Sequence, residues 1–501
     1  MTATLHAPQQ AADWLAGRVA GALTADSRRV RAGDGFIAWP GTASDGRRFV
    51  RAALEQGAKA CLVEAEGAAA FEFGDDPRIA SYAHLKREAG PIAAAFYGQP
   101  SRSMKVAAIT GTNGKTSCAW WLAHALSKTH DCAPCGLIGT LGVGLPPRIE
   151  PSGLTTPDPV RLQAALRALA DAGAKSCAME ASSIGLAEHR LDGTAIRVAA
   201  FTNFTQDHLD YHGGMAAYWQ AKRALFDWPG LQAAVINADD PRGAELARHA
   251  QERGLDGWTF GLNAPARLSA RDLAWMAGGA RFTLAEGAEQ VSVVAPVIGQ
   301  YNAGNLLLVA GCLRALGLPL AEIPALLADA PPVPGRMERV AVGGNDEPTV
   351  IVDYAHTPDA LDQALAALRP LANTRGGQLV CVFGCGGNRD AGKRPLMGAK
   401  ALARADTLAV TSDNPRGEDP QAIIDGILQG IADRARVTVE PDRARAIALA
   451  IEQAQATDVI LIAGKGHEDY QEMRGQRTPF SDQREARAAL QRRAAAREAR
   501  A

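Results

Sequence analysis

Thr110-Gly111-Thr112-Asn113-Gly114-Lys115-Thr116-Ser117 lies between an apolar run, Val106-Ala107-Ala108-Ile109, and the segment Cys118 to Leu126. The run reads as a buried strand and the following segment as a helix. Strand, Gly-rich turn, Gly-Lys-Thr and helix form an arrangement suited to a nucleoside triphosphate. Small residues let backbone N–H groups face the phosphates, and the helix N-terminus adds a partial positive charge. Lys115 can reach the outer phosphates, and the Thr116 hydroxyl suits a magnesium ion. The loop is compact, because the usual pattern wants a glycine where Ile109 stands and this chain supplies Gly111 instead.

Working outward, the chain of 501 residues predicts two to four domains. It is 47% hydrophobic and 21% charged, with 53 basic and 54 acidic residues and a net charge of −1, which gives no nucleic-acid footprint and no basic membrane patch. No apolar run approaches the ~20 residues that span a bilayer. Met1 to His6 lacks a basic segment leading into an apolar core, so no signal peptide is expected. Eight cysteines are too sparse for a disulfide scaffold. Cys132 and Cys135 have the spacing of half a zinc site with no second pair, which favours free thiols. A cytoplasmic enzyme fits all of this.

The chain divides into three α/β blocks at 1–103, 104–333 and 334–501, with Phe96 to Ser103 and Pro331-Pro332-Val333-Pro334-Gly335 as linkers. In the second block, apolar runs at Ser176–Met179, Ile196–Phe201 and Ala233–Asn237 alternate with helical stretches such as Val160–Ala172. That alternation predicts a parallel sheet covered by helices. The third block repeats it with runs at Thr349–Asp353, Leu379–Phe383, Leu408–Thr411 and Val459–Ala463. The tail from Gln483 to Ala501 reads as an exposed helix with no chemical role.

Ligands of open α/β sheets bind beyond the carboxyl ends of the strands, so the loops after these runs are the candidates for chemistry. Glu180 ends one strand and suits a metal beside a phosphate loop. Asp207, His208, Asp210 and His212 follow another and point to a metal or an anion. Lys222 lies on an amphipathic helix, where a surface lysine is the plain reading. Asn302 and Asn305 share a helix face at i, i+3, fit either to read an adenine edge or to cap a helix. Gly384-Cys385-Gly386-Gly387-Asn388-Arg389 lacks the spacing of a nicotinamide fingerprint. Arg389, Arg416 in Asp413-Asn414-Pro415-Arg416, and Glu468 in Gly464-Lys465-Gly466-His467-Glu468 bring two cations and one anion to one rim, suited to a zwitterion with extra carboxylates. No Asn-Lys-x-Asp guanine motif is present, which argues against a switch GTPase.

Taken in order, these motifs resemble the Mur ligases, ATP-dependent amide-forming enzymes of peptidoglycan synthesis, along essentially the whole chain. Among them the likeness is to those that add a diamino acid. The resemblance implies three domains: an N-terminal UDP-sugar-binding α/β domain, a central P-loop ATPase-like domain with a parallel sheet, and a C-terminal Rossmann-like domain. It implies ATP held by Gly111, Thr112, Asn113, Gly114, Lys115, Thr116, Ser117, Asn302, Asn305, Arg336 and Asp353. It implies Mg2+ on Thr116 and Glu180, and a second on Glu180, His208 and Lys222, with Lys222 carbamylated into an N6-carboxylysine. Lys115, Lys222 and His208 would be catalytic. Ala25, Ser27, Thr42, Ala43, Ser44, Thr155, Thr156, Ser182, Glu188 and Arg190 would hold UDP-N-acetylmuramoyl-L-alanyl-D-glutamate. Arg389, Asp413, Asn414, Pro415, Arg416, Gly464 and Glu468 would hold meso-2,6-diaminopimelate. A monomer without nucleic-acid or membrane partners is expected. Two positions depart from the family pattern: Ile184 stands where His is frequent, and Glu188 where Gln is frequent.

Overall fold

The computed structural model describes residues 3–41, 44–276, 279–343 and 347–498. Thr42 and Ala43, expected at the nucleotide-sugar site, lie outside the described residues. Among the described residues no helix is long and apolar enough to cross a membrane.

Three sheets follow one another along the chain. The first is parallel throughout, with its five strands in the order Ala3–Leu5, Ile79–Tyr82, Ala60–Glu64, Gly35–Ala38, Leu23–Thr24. The second has eleven strands, and Lys105–Thr110 lies inside it between Val198–Phe201 and Ser176–Glu180. Its register sets Glu180 opposite Ile109 and Phe201 opposite Thr110, so the three strand ends open on one edge. The third has six strands, and Asp353 and Phe383 both pair with Ala463 while Phe383 also pairs with Val410. Four loops therefore start side by side, at residues 353, 383, 410 and 463.

The second sheet is parallel through its centre, as the alternation predicts, and carries antiparallel additions at its edges. Seven strands form its parallel centre, but both flanks are antiparallel. Gly142–Leu145 and Arg148–Glu150 fold back at one side, and Gly279–Glu286 and Glu289–Ala295 at the other. Gly142, Gly144 and Gly279 carry positive φ values and sit so close to the neighbouring strand that a Cβ would meet its carbonyl oxygen at about 2.1–2.2 Å. The arm at 142–150 is too short to show a period, whereas Ala280-Arg281-Phe282-Thr283-Leu284 alternates and was the signal available for the other.

The helices Lys115–Leu126 and Gln300–Ala315 are apolar nearly all round, since each is enclosed between sheet and neighbouring helices. The predicted linkers are packed rather than loose. Ser101 is buried, its hydroxyl accepts from the Ala195 N–H at 2.9 Å, and the Pro331 carbonyl accepts from Trp121 Nε1 at 3.0 Å. The tail is also not simply exposed. In the helix Asp482–Glu498, Ala486, Ala489 and Leu490 join the core of the third sheet. An Ala- and Arg-rich composition hid this stripe of small side chains. All eight cysteines are free and buried.

Candidate active site

The Gly111–Ser117 loop owes its shape to two glycines in the left-handed or extended positive-φ region. A Cβ on Gly111 (φ 144°) would lie 1.8 Å from Thr202 Oγ1, and one on Gly114 (φ 85°) would lie 2.5 Å from Asn305 Oδ1. Asn203 fastens the loop from the neighbouring strand end. Its carbonyl accepts from Thr112 N at 2.9 Å and its side-chain oxygen from Asn113 N at 2.9 Å. The N–H groups that begin the helix at Lys115 have no intrahelical acceptor, so they are the ones available to an anion.

Two lysines meet at this loop. Lys115 Nζ donates to the carbonyls of Gly111 at 2.8 Å and Thr112 at 2.9 Å, and Lys222 Nζ donates to the same Gly111 carbonyl at 2.6 Å. Lys222 is 1% exposed and its ammonium lies 4.4 Å above the Tyr218 ring. Burial first, and then the charge of Lys115, push Lys222 well below the usual lysine range, with Asp207 opposing. Burial also lowers Lys115. The plain reading of Lys222 as a surface lysine is therefore overturned: its helix turns the polar end inward, toward the loop.

Glu180 faces the same loop. Thr116 Oγ1 donates to Glu180 Oε2 at 3.0 Å, and Thr140 donates to Oε1 through its N–H at 2.8 Å and to Oε2 through its hydroxyl at 3.2 Å. Gly139 leaves room for the carboxylate, since a Cβ there would be 2.3 Å from Oε1. Thr140 was missed by sequence reasoning. Its position just past the strand Cys135–Gly139, which pairs with Ser176–Glu180, was the available signal. Arg336 reaches in from the third unit, donating Nη2 to Thr116 Oγ1 at 3.2 Å, while its Nε is buried without an acceptor among the described residues.

The cluster expected at Asp207, His208, Asp210 and His212 is dispersed. His208 Nε2 stays near Asp207 Oδ2 at 3.4 Å, but His212 turns to Ser183 Oγ at 3.0 Å and Asp210 to Arg389 at 3.8 Å. Among the described residues, no three His, Cys, Asp or Glu side chains are grouped to hold a metal. Thr116 and Glu180 nevertheless offer adjacent oxygen donors of the kind magnesium takes. An ammonium at Lys222 does not fit a metal, whereas a carbamate there would. Burial lowers His208, leaving its ring neutral near pH 7. Asp207 also faces His356 of the third unit at 4.0 Å, and burial pushes His356 down to about 4.

Between the second and third sheets lies a cavity of about 600 Å³, lined by Asn113, Gly114, Ser117, Asn302, Asn305, Arg336 and Asp353 among others. Its size suits a nucleotide. Asn302 Nδ2 donates to Ile298 O at 2.8 Å and Asn305 Nδ2 to Asn302 Oδ1 at 3.0 Å, so the amides brace each other at the cavity wall. Asp353 accepts from Met337 N at 2.7 Å and Ala355 N at 2.8 Å. Burial raises its carboxyl, opposed by Arg336.

Thr155, Thr156, Ser182 and Arg190 gather next to Glu180. Thr155 and Thr140 hydroxyls are 3.0 Å apart, Thr156 Oγ1 donates to Glu180 O at 2.9 Å and accepts from Ser182 N at 3.1 Å, and Arg190 donates to Thr156 O at 3.0 Å. Glu188 stands apart in character. Its carboxylate pairs with Lys86 at 2.8 Å and accepts from the Tyr211 hydroxyl, so protein groups already neutralise it. Ala25, Ser27 and Ser44 lie in the first unit, and among the described residues no hydrogen bond or ion pair joins them to the Gly111 loop. Ser27 opens a turn capped by Asp26, and Ser44 precedes Asp45, which pairs with Arg47 at 2.7 Å.

The third-unit residues do come together. Arg416 (φ 54°) donates Nη1 to Gly387 O at 2.9 Å, and a Cβ on Gly386 would touch both Arg416 Nη1 at 2.8 Å and Arg389 Cγ at 3.9 Å. Asn414 Nδ2 donates to Glu468 Oε2 at 2.7 Å. Pro415 O approaches Gly387, and Asp413 Oδ2 approaches Gly464, so closely that only glycine fits at either place. Lys465 and Arg443, neither assigned from sequence, support this cluster from below; a buried cation has no signature in a pattern of residue types.

Comparison with known proteins finds the Mur ligase family, catalytic domain, over residues 21–95, the Mur ligase middle domain over 109–313, and the Mur ligase glutamate ligase domain over 335–466. The chain is 59% identical over 495 residues to a UDP-N-acetylmuramoyl-L-alanyl-D-glutamate--2,6-diaminopimelate ligase of Acidovorax sp. (strain JS42), covering 98% of each. It is similar to a solved ligase of the same name, with 36% identity, a TM-score of 0.66, and coverage of 94% of this chain and 95% of that one. A folylpolyglutamate synthase of Mycobacterium tuberculosis, solved with ADP and AMPPCP, shares the fold at 21% identity and a TM-score of 0.60, covering 74% of this chain and 91% of that one.

Proposed function

The chain belongs to the Mur ligase family, and from that premise we propose that it uses ATP to join meso-2,6-diaminopimelate to the D-glutamate γ-carboxylate of UDP-N-acetylmuramoyl-L-alanyl-D-glutamate, in peptidoglycan precursor synthesis. The observation that carries this reading is near-full-length identity with diaminopimelate ligases. The convergence of Lys115, Lys222, Glu180 and Arg336 on one loop supports it. Residues 1–103 would take the nucleotide sugar, 104–333 the ATP, and 334–501 the amino acid. The enzyme would act as a cytoplasmic monomer.

The γ-carboxylate attacks the γ-phosphorus of ATP, the bond to ADP breaks, and an acyl phosphate forms. Lys115 and the first-turn N–H groups after Gly114 stabilise the charge on the phosphoryl oxygens, and Arg336, with its free Nε, adds a cation from the third unit. Thr116 and Glu180 would hold one magnesium ion, and Glu180, His208 and a carbamylated Lys222 a second; these supply positive charge to the phosphates. The amine of diaminopimelate then attacks the acyl carbon, and phosphate leaves as the amide forms. Third-unit contacts to the central unit, Asn113 to Asp359 at 3.3 Å and Gln206 to Asp390 at 3.4 Å among them, keep amine and acyl sites adjacent.

The test is phosphate release in the presence of ATP. Release is expected only when both the nucleotide-sugar dipeptide and diaminopimelate are present; hydrolysis independent of both would end the reading, and dependence on a folate with glutamate would replace it.

Arg416 is assigned to the distal carboxylate that lysine lacks. Arg416→Ala should raise the KM for diaminopimelate about tenfold or more, since a charge-assisted contact contributes roughly 1.5–3 kcal/mol. The KM for ATP should barely move. Equal increases in both would count against this pocket.

A further inference from the structure

Lys465 has no exposed side-chain surface, although it carries an ammonium group directly after the strand Val459–Ala463. It donates to Asn414 Oδ1 at 3.0 Å and to Glu468 Oε2 at 2.9 Å. Asn414 is thereby fixed in one orientation. Its Oδ1 also accepts from Glu472 N at 2.9 Å, and its Nδ2 donates to Glu468 Oε2 at 2.7 Å. Two donors therefore saturate Glu468 Oε2, and Oε1 has no hydrogen bond among the described residues. A carboxylate presented this way has one oxygen anchored and one left for a cationic ligand group.

The charges beneath the pocket make the arrangement specific. Arg443 and Asp482 form a wholly buried pair at 2.7 Å, and Arg443 donates to Ala463 O at 2.9 Å and Ser412 O at 3.3 Å. Arg443 is thus already matched by its own carboxylate, leaving Lys465 as the cation in hydrogen-bond contact with Glu468. Without it, the half-buried carboxylate would lose its one directly bonded cation and would be free to turn away from Asn414.

We propose that Lys465 is a positioning residue for the amino-acid substrate: it locks Asn414 and Glu468 so that the free carboxylate oxygen of Glu468 receives an ammonium of the incoming diamino acid. This rests on the pocket assignment above and extends it to a residue that does not itself touch substrate. A lysine rather than a neutral donor is required because it supplies the compensating charge together with two hydrogen bonds of fixed direction.

The experiment is a double-mutant cycle with Lys465→Met, Glu468→Gln and the pair, reading the KM of each of the three substrates and kcat. Each single change should raise the KM for diaminopimelate about tenfold or more, with the KM for ATP and for the nucleotide sugar within about twofold. The pair should be no worse than the worse single variant, because the two groups act as a unit. Multiplying effects in the pair, or a parallel rise in all three KM values, would overturn the proposal. If Lys465→Met does not fold, Lys465→Gln with Glu468→Gln removes the uncompensated charge and gives the same comparison against Glu468→Gln alone. Wild-type protein indifferent to diaminopimelate would refute the functional reading; a diaminopimelate-dependent wild type with an unchanged KM in the Lys465 variants would refute this inference alone.

Discussion

Lys222→Ala is expected to lower kcat about 10²–10³-fold, and short carboxylates such as acetate or propionate are expected to restore part of it. The reason lies in the contest at Gly111. Two ammonium groups share one carbonyl oxygen, at 2.8 and 2.6 Å, and one of them is 1% exposed. Loss of water, and then proximity of like charge, favour release of a proton from Lys222. The resulting neutral amine is a nucleophile for carbon dioxide. In the proposed carbamylation its nitrogen would form a bond to carbon, one C=O electron pair would move to oxygen, and the amine proton would go to solvent. The product would be an anion beside Lys115, turning repulsion into attraction and giving an oxygen donor where an ammonium could not serve. Alanine leaves a space that a small carboxylate can enter. Full activity of the alanine variant would refute the carbamate; steady-state rates with and without added carboxylate decide it.

Asp482→Ala is expected to destabilise the third unit by about 3–5 kcal/mol, because it leaves the Arg443 guanidinium buried without its partner. Both side chains are 0% exposed and joined by two hydrogen bonds, at 2.7 and 2.8 Å. Replacing both with apolar residues of similar volume should recover most of the loss, since no uncompensated charge then remains. Denaturant unfolding followed by probes in each unit would show the change, because a chain of three units need not unfold in one step. A third-unit midpoint unchanged by Asp482→Ala would contradict the expectation.

Much of this was legible in the sequence where chemistry and periodicity coincide. The strand Lys105–Thr110, its Gly-rich loop and its helix were readable because apolar run, glycines and Gly-Lys-Thr follow one another without interruption. The third-unit strands were readable because parallel strands buried on both faces are continuous Val, Ile and Leu runs. The antiparallel flank at 142–150 was not, since strands as short as Arg148–Glu150 carry too few residues for a period, while the alternation in Gly279–Glu286 was present and went unread. Lys222 shows the limit most plainly. Its helix reads as amphipathic, and only packing against Gly111 reveals that the lysine lies on the inward face. The Asp207 to His212 segment erred in the other direction, since residues close in sequence turned toward three different partners.

The Arg443 brace has a consequence for how selectivity could be moved between relatives. Of the loops that would touch the amino acid, around 384–389, 413–416 and 464–468, the last two follow the carbonyls of Ser412 and Ala463, which accept from the Arg443 side chain on one helix, itself held by the Asp482 carboxylate at the start of another. A transplant of the loops alone would carry the recognising side chains but leave behind the scaffold that sets their spacing. On the proposed pocket, amino-acid preference would therefore be a property of the whole terminal unit, down to its last helix, rather than a portable cassette.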